Sequence, residues 1–184
     1  MIVGGVEEEP GAPKYALIER ERRFLVDCAR RPDLRGHPFV LIEDRYIDGT
    51  RLRLRRMEDS ASGRCLLKLT KKYETEDPLA RPIVTAYLTE GEYCIFAALP
   101  ARTLSKRRFH VKVGAHYHGI DLFLGPLSGL ELTEVECPSD EALRSLVPPE
   151  WAFREVSDDP EFQGGGLASL DADRLSALLE KAKG

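Results

Sequence analysis

Apolar and polar positions alternate with a period of two along most of the chain up to about residue 137. The alternation predicts strands over 16–26, 44–57, 64–73, 81–88, 104–113, 118–124 and 130–137. Turn signals separate several of them, such as DGT at 48–50 and GPLSG at 125–129. Helical signals cluster late. Thr89 and Glu92 make a capping box that opens a helix ending by Pro100. Ser139 caps a second short helix, SDEALRSLV, stopped by Pro148 and Pro149. The final LDADRLSALLEKAK reads as an amphipathic helix capped by Asp171, with lysines in its last turn. Many strands with few helices, the two not alternating, define an α+β class with antiparallel pairing.

Successive strand side chains point to opposite faces, so each charged residue can be assigned to a face by parity. Arg51, Arg53 and Arg55 share one face against Leu52 and Leu54. Lys68, Thr70 and Lys72 oppose Leu67 and Leu69, and Lys106, Arg108, His110 and Lys112 oppose Phe109, Val111 and Val113. Glu134 and Glu136 oppose Thr133, Val135 and Cys137, while Glu19, Glu21 and Arg23 oppose Ile18 and Phe24. A wet face on a half-buried sheet explains any one of these rows. It does not explain why like charges repeat at i, i+2, or why the signs are sorted by strand, because a surface shaped for solubility mixes them. Basic rows suit a polyanion, and clustered carboxylates suit a hard divalent cation. Together they describe a site for a metal-bridged oligophosphate in the hydrated interior of a sheet curled around its charged face.

Composition narrows this further. The 184 residues suffice for one domain with a core, and 42% hydrophobic with 32% charged residues is ordinary for a globular chain. Lys plus Arg number 27 against 31 Asp plus Glu, a net charge of −4, which argues against a nucleic-acid partner held by bulk positive charge. No apolar run approaches the roughly 18 residues of a membrane span. MIVGGVEEEPGAP lacks a signal peptide's basic and apolar regions, so residues 1–14 are expected to form a flexible acidic tail before a domain at 15–184. Cys28, Cys65, Cys94 and Cys137 show no CxxC or zinc spacing and read as reduced thiols of a cytoplasmic protein.

The residues resemble the CYTH, or triphosphate tunnel metalloenzyme, superfamily. Its N-terminal ExExK strand is matched by Glu19, Glu21 and Arg23 in IERERRFLV. RLRLRR at 51–56, LKLTKK at 67–72, LSKRRF at 104–109, DLFLG at 121–125 and GLELTEVE at 129–136 follow in order, with REVSDDPEFQGGGLA at 154–168 near the end. The resemblance implies a closed antiparallel β-barrel tunnel of about eight strands with helices packed outside. Members hydrolyse inorganic or thiamine triphosphate, or cyclise ATP, with Mg²⁺ or Mn²⁺. By the same resemblance Arg23, Arg51, Arg53, Lys68, Arg81, Lys106 and Arg108 would bind substrate, and Glu19, Glu21, Asp121, Glu134 and Glu136 would hold metal. Glu21 or Asp121 would orient the attacking water. Two departures stand out. Arg23 replaces the signature lysine, and a guanidinium is not a tunable amine. RPIVT at 81–85 keeps Arg81 but puts Ile83 and Thr85 where the family often has acids.

The expected activity is metal-dependent triphosphate hydrolysis, with an adenylate cyclase and a non-catalytic polyphosphate binder as alternatives. The expected partner is a small triphosphate, with no nucleic acid and no membrane, and a homodimer left open. Of the remaining motifs, His116 and His118 are expected to be exposed around a turn, and His110 to join the basic row. Trp151 and Phe153 are expected to pack in the core or at its rim, and GGG at 164–166 to be a flexible turn.

Overall fold

The computed structural model describes residues 13–183, so most of the expected tail lies outside the described residues. Nine strands are found among them: β1 (Leu17–Val26), β2 (Val40–Ile47), β3 (Leu52–Asp59), β4 (Cys65–Lys72), β5 (Ala80–Tyr87), β6 (Ala101–Val113), β7 (His116–Phe123), β8 (Glu131–Glu136) and β9 (Ala152–Glu155). They run in the order β5-β4-β3-β2-β6-β7-β8-β1, and β1 pairs back onto β5 to close an eight-stranded antiparallel barrel. The closing seam is short, from Leu17 opposite Ile83 to Arg20 opposite Ala80. Further along β1, β9 pairs with Phe24–Val26 as a ninth strand.

The period-two segments became strands much as expected, with one correction. The strand expected over 44–57 is a hairpin of β2 and β3, turning at the DGT signal. Gly49 takes a left-handed φ of 70° there, and the Thr50 hydroxyl donates to the Ile47 carbonyl at 2.8 Å. Strand β9 had no expected counterpart, since its four residues are too few to display alternation.

The helices start where the caps place them. Thr89 and Glu92 form the reciprocal capping box of α1 (Glu90–Ala97), and Ser139 accepts from the Ala142 amide to cap α2 (Asp140–Ser145). The one-turn α3 (Gly164–Leu167) precedes α4 (Ala172–Lys183), whose cap is Asp171 accepting from the Arg174 amide at 2.9 Å.

Two apolar clusters hold helices and loops against the barrel. Phe24, Phe109, Ile120 and Val135 face outward from the wall and are covered by Leu143, Leu146 and Trp151. Leu25, Leu104, Phe123 and Leu132 pack instead with Phe162, Leu167, Leu175 and Leu178 from the C-terminal segment and α4. His118 corrects the expectation of an exposed HYH turn. It is the third residue of β7, lies on the outward face with Ile120, is 1% exposed, and meets Trp151 edge-on at 5.7 Å. Trp151 is core, as expected, and all four cysteines are free thiols.

Truncating Ile120, which is fully buried in the outer cluster, leaves a cavity between rigid wall and helix. Ile120→Ala is expected to cost about 2–5 kcal/mol in urea unfolding, with the barrel's circular dichroism otherwise intact.

Candidate active site

A cavity of about 390 Å³ occupies the barrel, and all eight strands of the closed wall contribute to its lining. That volume falls within the ~300–1,000 Å³ of small-molecule sites. Inward parity brings Glu19, Glu21 and Arg23 from β1 together with Arg53 and Arg55 from β3, Lys72 from β4 and Arg81 from β5. Lys106 and Arg108 come from β6, and Glu134 and Glu136 from β8. Arg51 and Arg102 stand at the half-exposed mouth, paired with Glu74 and Asp48.

The cations are anchored from behind. Asp121 is completely buried on β7 and accepts from Lys106 at 2.5 Å and from Arg108 at 2.7 and 2.6 Å. It does not line the cavity and backs two cations that do. Asp44, 1% exposed, takes a two-pronged bond from Arg55 at 2.6 and 2.7 Å, with Arg53 at 3.8 Å. Burial alone would raise the Asp44 carboxyl, but Arg55 and Arg53 bring it down to about 2. Neither Asp44 nor its pairing with Arg55 was among the expected site residues. Asp44 sits inside the segment misjudged as one long strand, where a lone acid shows no row.

Arg23 is 6% exposed and heavily committed. It donates to Glu134 at 3.0 Å, Glu21 at 3.0 Å, the Phe162 carbonyl at 3.1 Å and the Gln163 side chain at 3.1 Å. Glu134 also receives Arg108. Burial pushes the Glu134 carboxyl up, yet Arg108, Lys106 and Arg23 together hold it well below the usual carboxylate range. For Glu21 burial is likewise outweighed, here by Lys72 and Arg23. Lys68 keeps the inward parity but stands outside the cavity lining, its ammonium 5.2 Å from the Tyr87 ring. His110 is exposed beyond the basic pair Lys106 and Arg108. The glycine run is the other correction. Gly164 and Gly165 line the cavity, and a Cβ on Gly164 would stand 1.8 Å from the Tyr46 hydroxyl. Close approach, not mobility, requires glycine there.

Two observations bear on ligands. The buried Nε of Arg53 has no hydrogen-bond partner, leaving a guanidinium donor available on the cavity wall. Glu136 lies directly opposite Glu21 in the β1–β8 register, and burial followed by Glu19 and Glu21 raises its carboxyl. Like charges facing one another are unfavourable without a cation between them. These carboxylate oxygens therefore fit a hard divalent ion, although among the described residues no three ligating side chains already stand in coordinating positions.

Closed barrel, sorted charges and an interior cavity define a protein of the ionic-tunnel class. An inorganic triphosphatase of Nitrosomonas europaea is 28% identical over 158 residues, covering 83% of this chain and 97% of the relative. A crystal structure of an inorganic triphosphatase superposes with a TM-score of 0.53 at 27% identity, covering 82% of this chain and 97% of that one. A Bacillus halodurans structure described as a candidate adenylate cyclase shares the fold, with a TM-score of 0.51 at 17% identity over 74% of this chain and 95% of that one. No family model matches. These likenesses accord with the resemblance of the chain to the CYTH, or triphosphate tunnel metalloenzyme, superfamily.

Asp44 yields a pH-dependent prediction. Its carboxyl is depressed on folding, so its contribution is present above the ordinary aspartate range near 4 and is lost as pH falls towards about 2. Asp44→Asn is expected to lose about 3–5 kcal/mol at neutral pH, because Arg55 is left buried without its counter-charge. The variant's urea midpoint should also fall less steeply than the parent's between pH 4 and pH 2.

Proposed function

We propose that this protein is a divalent-metal-dependent triphosphatase acting on inorganic tripolyphosphate or an organic triphosphate inside the barrel. The observation that carries the proposal is the gathering of basic and acidic rows around one interior cavity. Carboxylates Glu19, Glu21, Glu134 and Glu136 sit on the neighbouring strands β1 and β8, and Arg53, Arg55, Arg81, Lys106 and Arg108 come from β3, β5 and β6. Its relationship to an inorganic triphosphatase supports the same substrate class.

Phosphoryl transfer asks little of a protein beyond position and electrostatics. Arg53, with its free buried donor, and Arg81, which has no ion pair among the described residues, would grip phosphate oxygens first. Lys106 and Arg108, held rigidly by Asp121, would face the charge that develops on the transferred group, costing little reorganisation. Arg51 and Arg102 at the mouth would receive the trailing end of the chain, while Lys68 is not among the lining side chains. Glu19, Glu21, Glu134 and Glu136 would hold Mg²⁺ or Mn²⁺, which supplies phosphate polarisation and an acidified water. Glu21 would orient that water. Asp121, whose oxygens are both occupied by cations, acts as support and not as the water-orienting group.

The substrate is a small anion, and no nucleic-acid or membrane partner is proposed; no helix among the described residues is long and apolar enough to cross a membrane. A cytoplasmic location accords with the four free thiols.

The test is a substrate panel of tripolyphosphate, thiamine triphosphate, ATP and pyrophosphate, each with Mg²⁺ and Mn²⁺. Phosphate release from a triphosphate is expected, with cyclic AMP absent from the ATP arm. Glu19→Ala and Glu134→Ala should each lower kcat/KM by about 10²-fold or more. Unchanged metal-dependent turnover in both variants would remove the site assignment, and cyclic AMP formation would replace the hydrolase with a cyclase.

A further inference from the structure

Strand β4 ends at Lys72, whose ammonium lies on the Glu19 carboxylate and 3.8 Å from Glu21. Two cations therefore touch Glu21, and they differ in how firmly they are fixed. Arg23 is buried and bonded to two carboxylates, a carbonyl and a side-chain amide across three segments of the chain. Lys72 is 23% exposed at its side chain, and among the described residues its ammonium meets only Glu19 and Glu21. Its four-carbon stem lets the head move without moving the strand. The next lysine, Lys71, points the other way, its ammonium 4.8 Å from the Tyr73 ring.

We propose that Lys72 is a resident cation. It neutralises the Glu19–Glu21 pair while no metal is bound, yields those oxygens to an arriving divalent ion, and carries its ammonium to a phosphate oxygen of the substrate. Metal and lysine compete for the same carboxylate oxygens and repel one another across them, so binding of one weakens the other at the pair. Lys72 and the free Arg53 donor line the same cavity, so the displaced ammonium stays within it. Metal and triphosphate would then bind cooperatively, because each one's site is completed by what the other releases or attracts. The competition half stands on the ion pairs alone, and the transfer to phosphate rests on the triphosphatase proposal.

Mn²⁺ binding to the full chain, followed by calorimetry and by the electron paramagnetic resonance of free Mn²⁺, separates the two halves. With Mn²⁺ alone, Lys72→Met should bind about tenfold more tightly than the parent, whereas Lys71→Met should match the parent. Addition of the diimido analogue of tripolyphosphate, which resists hydrolysis, should tighten Mn²⁺ binding in the parent and in Lys71→Met, and do so much less in Lys72→Met. Equal analogue concentrations cancel chelation in free solution. Lys72→Gln, with a polar head and no charge, gives the same comparison if the methionine variant does not fold. Mn²⁺ affinity that is unchanged or weaker in the Lys72 variants overturns the proposal, as does full coupling with the analogue. A parent that releases no phosphate from tripolyphosphate would defeat the triphosphatase proposal and leave the metal-alone comparison readable.

Discussion

Every deeply buried cation in this barrel has a carboxylate against it, and the rest of the structure depends on that pairing. A guanidinium or ammonium taken from water into a protein interior costs several kcal/mol unless an opposite charge and hydrogen bonds replace its hydration. Here the replacement is continuous. Asp121 binds Arg108, Arg108 reaches Glu134, Glu134 meets Arg23, Arg23 holds Glu21, and Glu21 and Glu19 share Lys72. Asp44 repeats the device under Arg55 and Arg53 on the facing strands. A curled sheet with only its basic rows inside would not close.

The same chain of ion pairs ties the apolar architecture to the site. Arg23 donates to the Phe162 carbonyl while the Phe162 ring is buried in the cluster formed with Leu25, Leu132 and α4. Two residues on, Gly164 presses its backbone to Tyr46, whose hydroxyl is pushed up to about 12, burial being the main cause, and stays protonated. Packing of the C-terminal segment and orientation of the β1 carboxylates are therefore one problem with one solution. This suits a site whose donors must be fixed before substrate arrives, since electrostatic stabilisation is largest where nothing has to reorganise. It also gives arginine an advantage at position 23. A lysine has three donors and no fixed plane, and could not join Glu21, Glu134 and two C-terminal acceptors in one geometry.

Parity made much of this legible before any coordinates. Rows such as Arg51-Arg53-Arg55 and Glu134-Glu136 announce a shared face, and sorting of their signs announces that the face is enclosed. Parity does not convey depth. Lys68 and Arg55 are direct cross-strand partners on one face, yet Arg55 lines the cavity and Lys68 does not. Nor does it convey neighbours, which follow from the strand order β2-β6-β7-β8-β1. That order lets Asp121 support β6 cations from β7. Asp44 and the glycine run were missed for related reasons. A single acid forms no row, and a close approach leaves no signature until both surfaces are known.

The departure at β5 acquires a structural meaning in this frame. Ile83 and Thr85 hold the positions where acids are often found, and the Thr85 hydroxyl is 3.0 Å from that of Thr70 on β4. Strand β5 therefore offers the cavity Arg81 and no carboxylate. Apart from Asp44 on β2, the acids lining the cavity are confined to β1, β8 and the mouth residue Glu74. Glu136, which forms no ion pair among the described residues, faces Glu21 across the β1–β8 ladder. An acid at 83 would stand near Lys72, to which Ile83 is the cross-strand partner, and would compete with Glu19 for that ammonium. By leaving β5 apolar and hydroxylic, the sequence keeps Lys72 on the β1 pair and leaves Arg81 without a carboxylate on its own strand, which is the arrangement a phosphate chain entering from the mouth would meet.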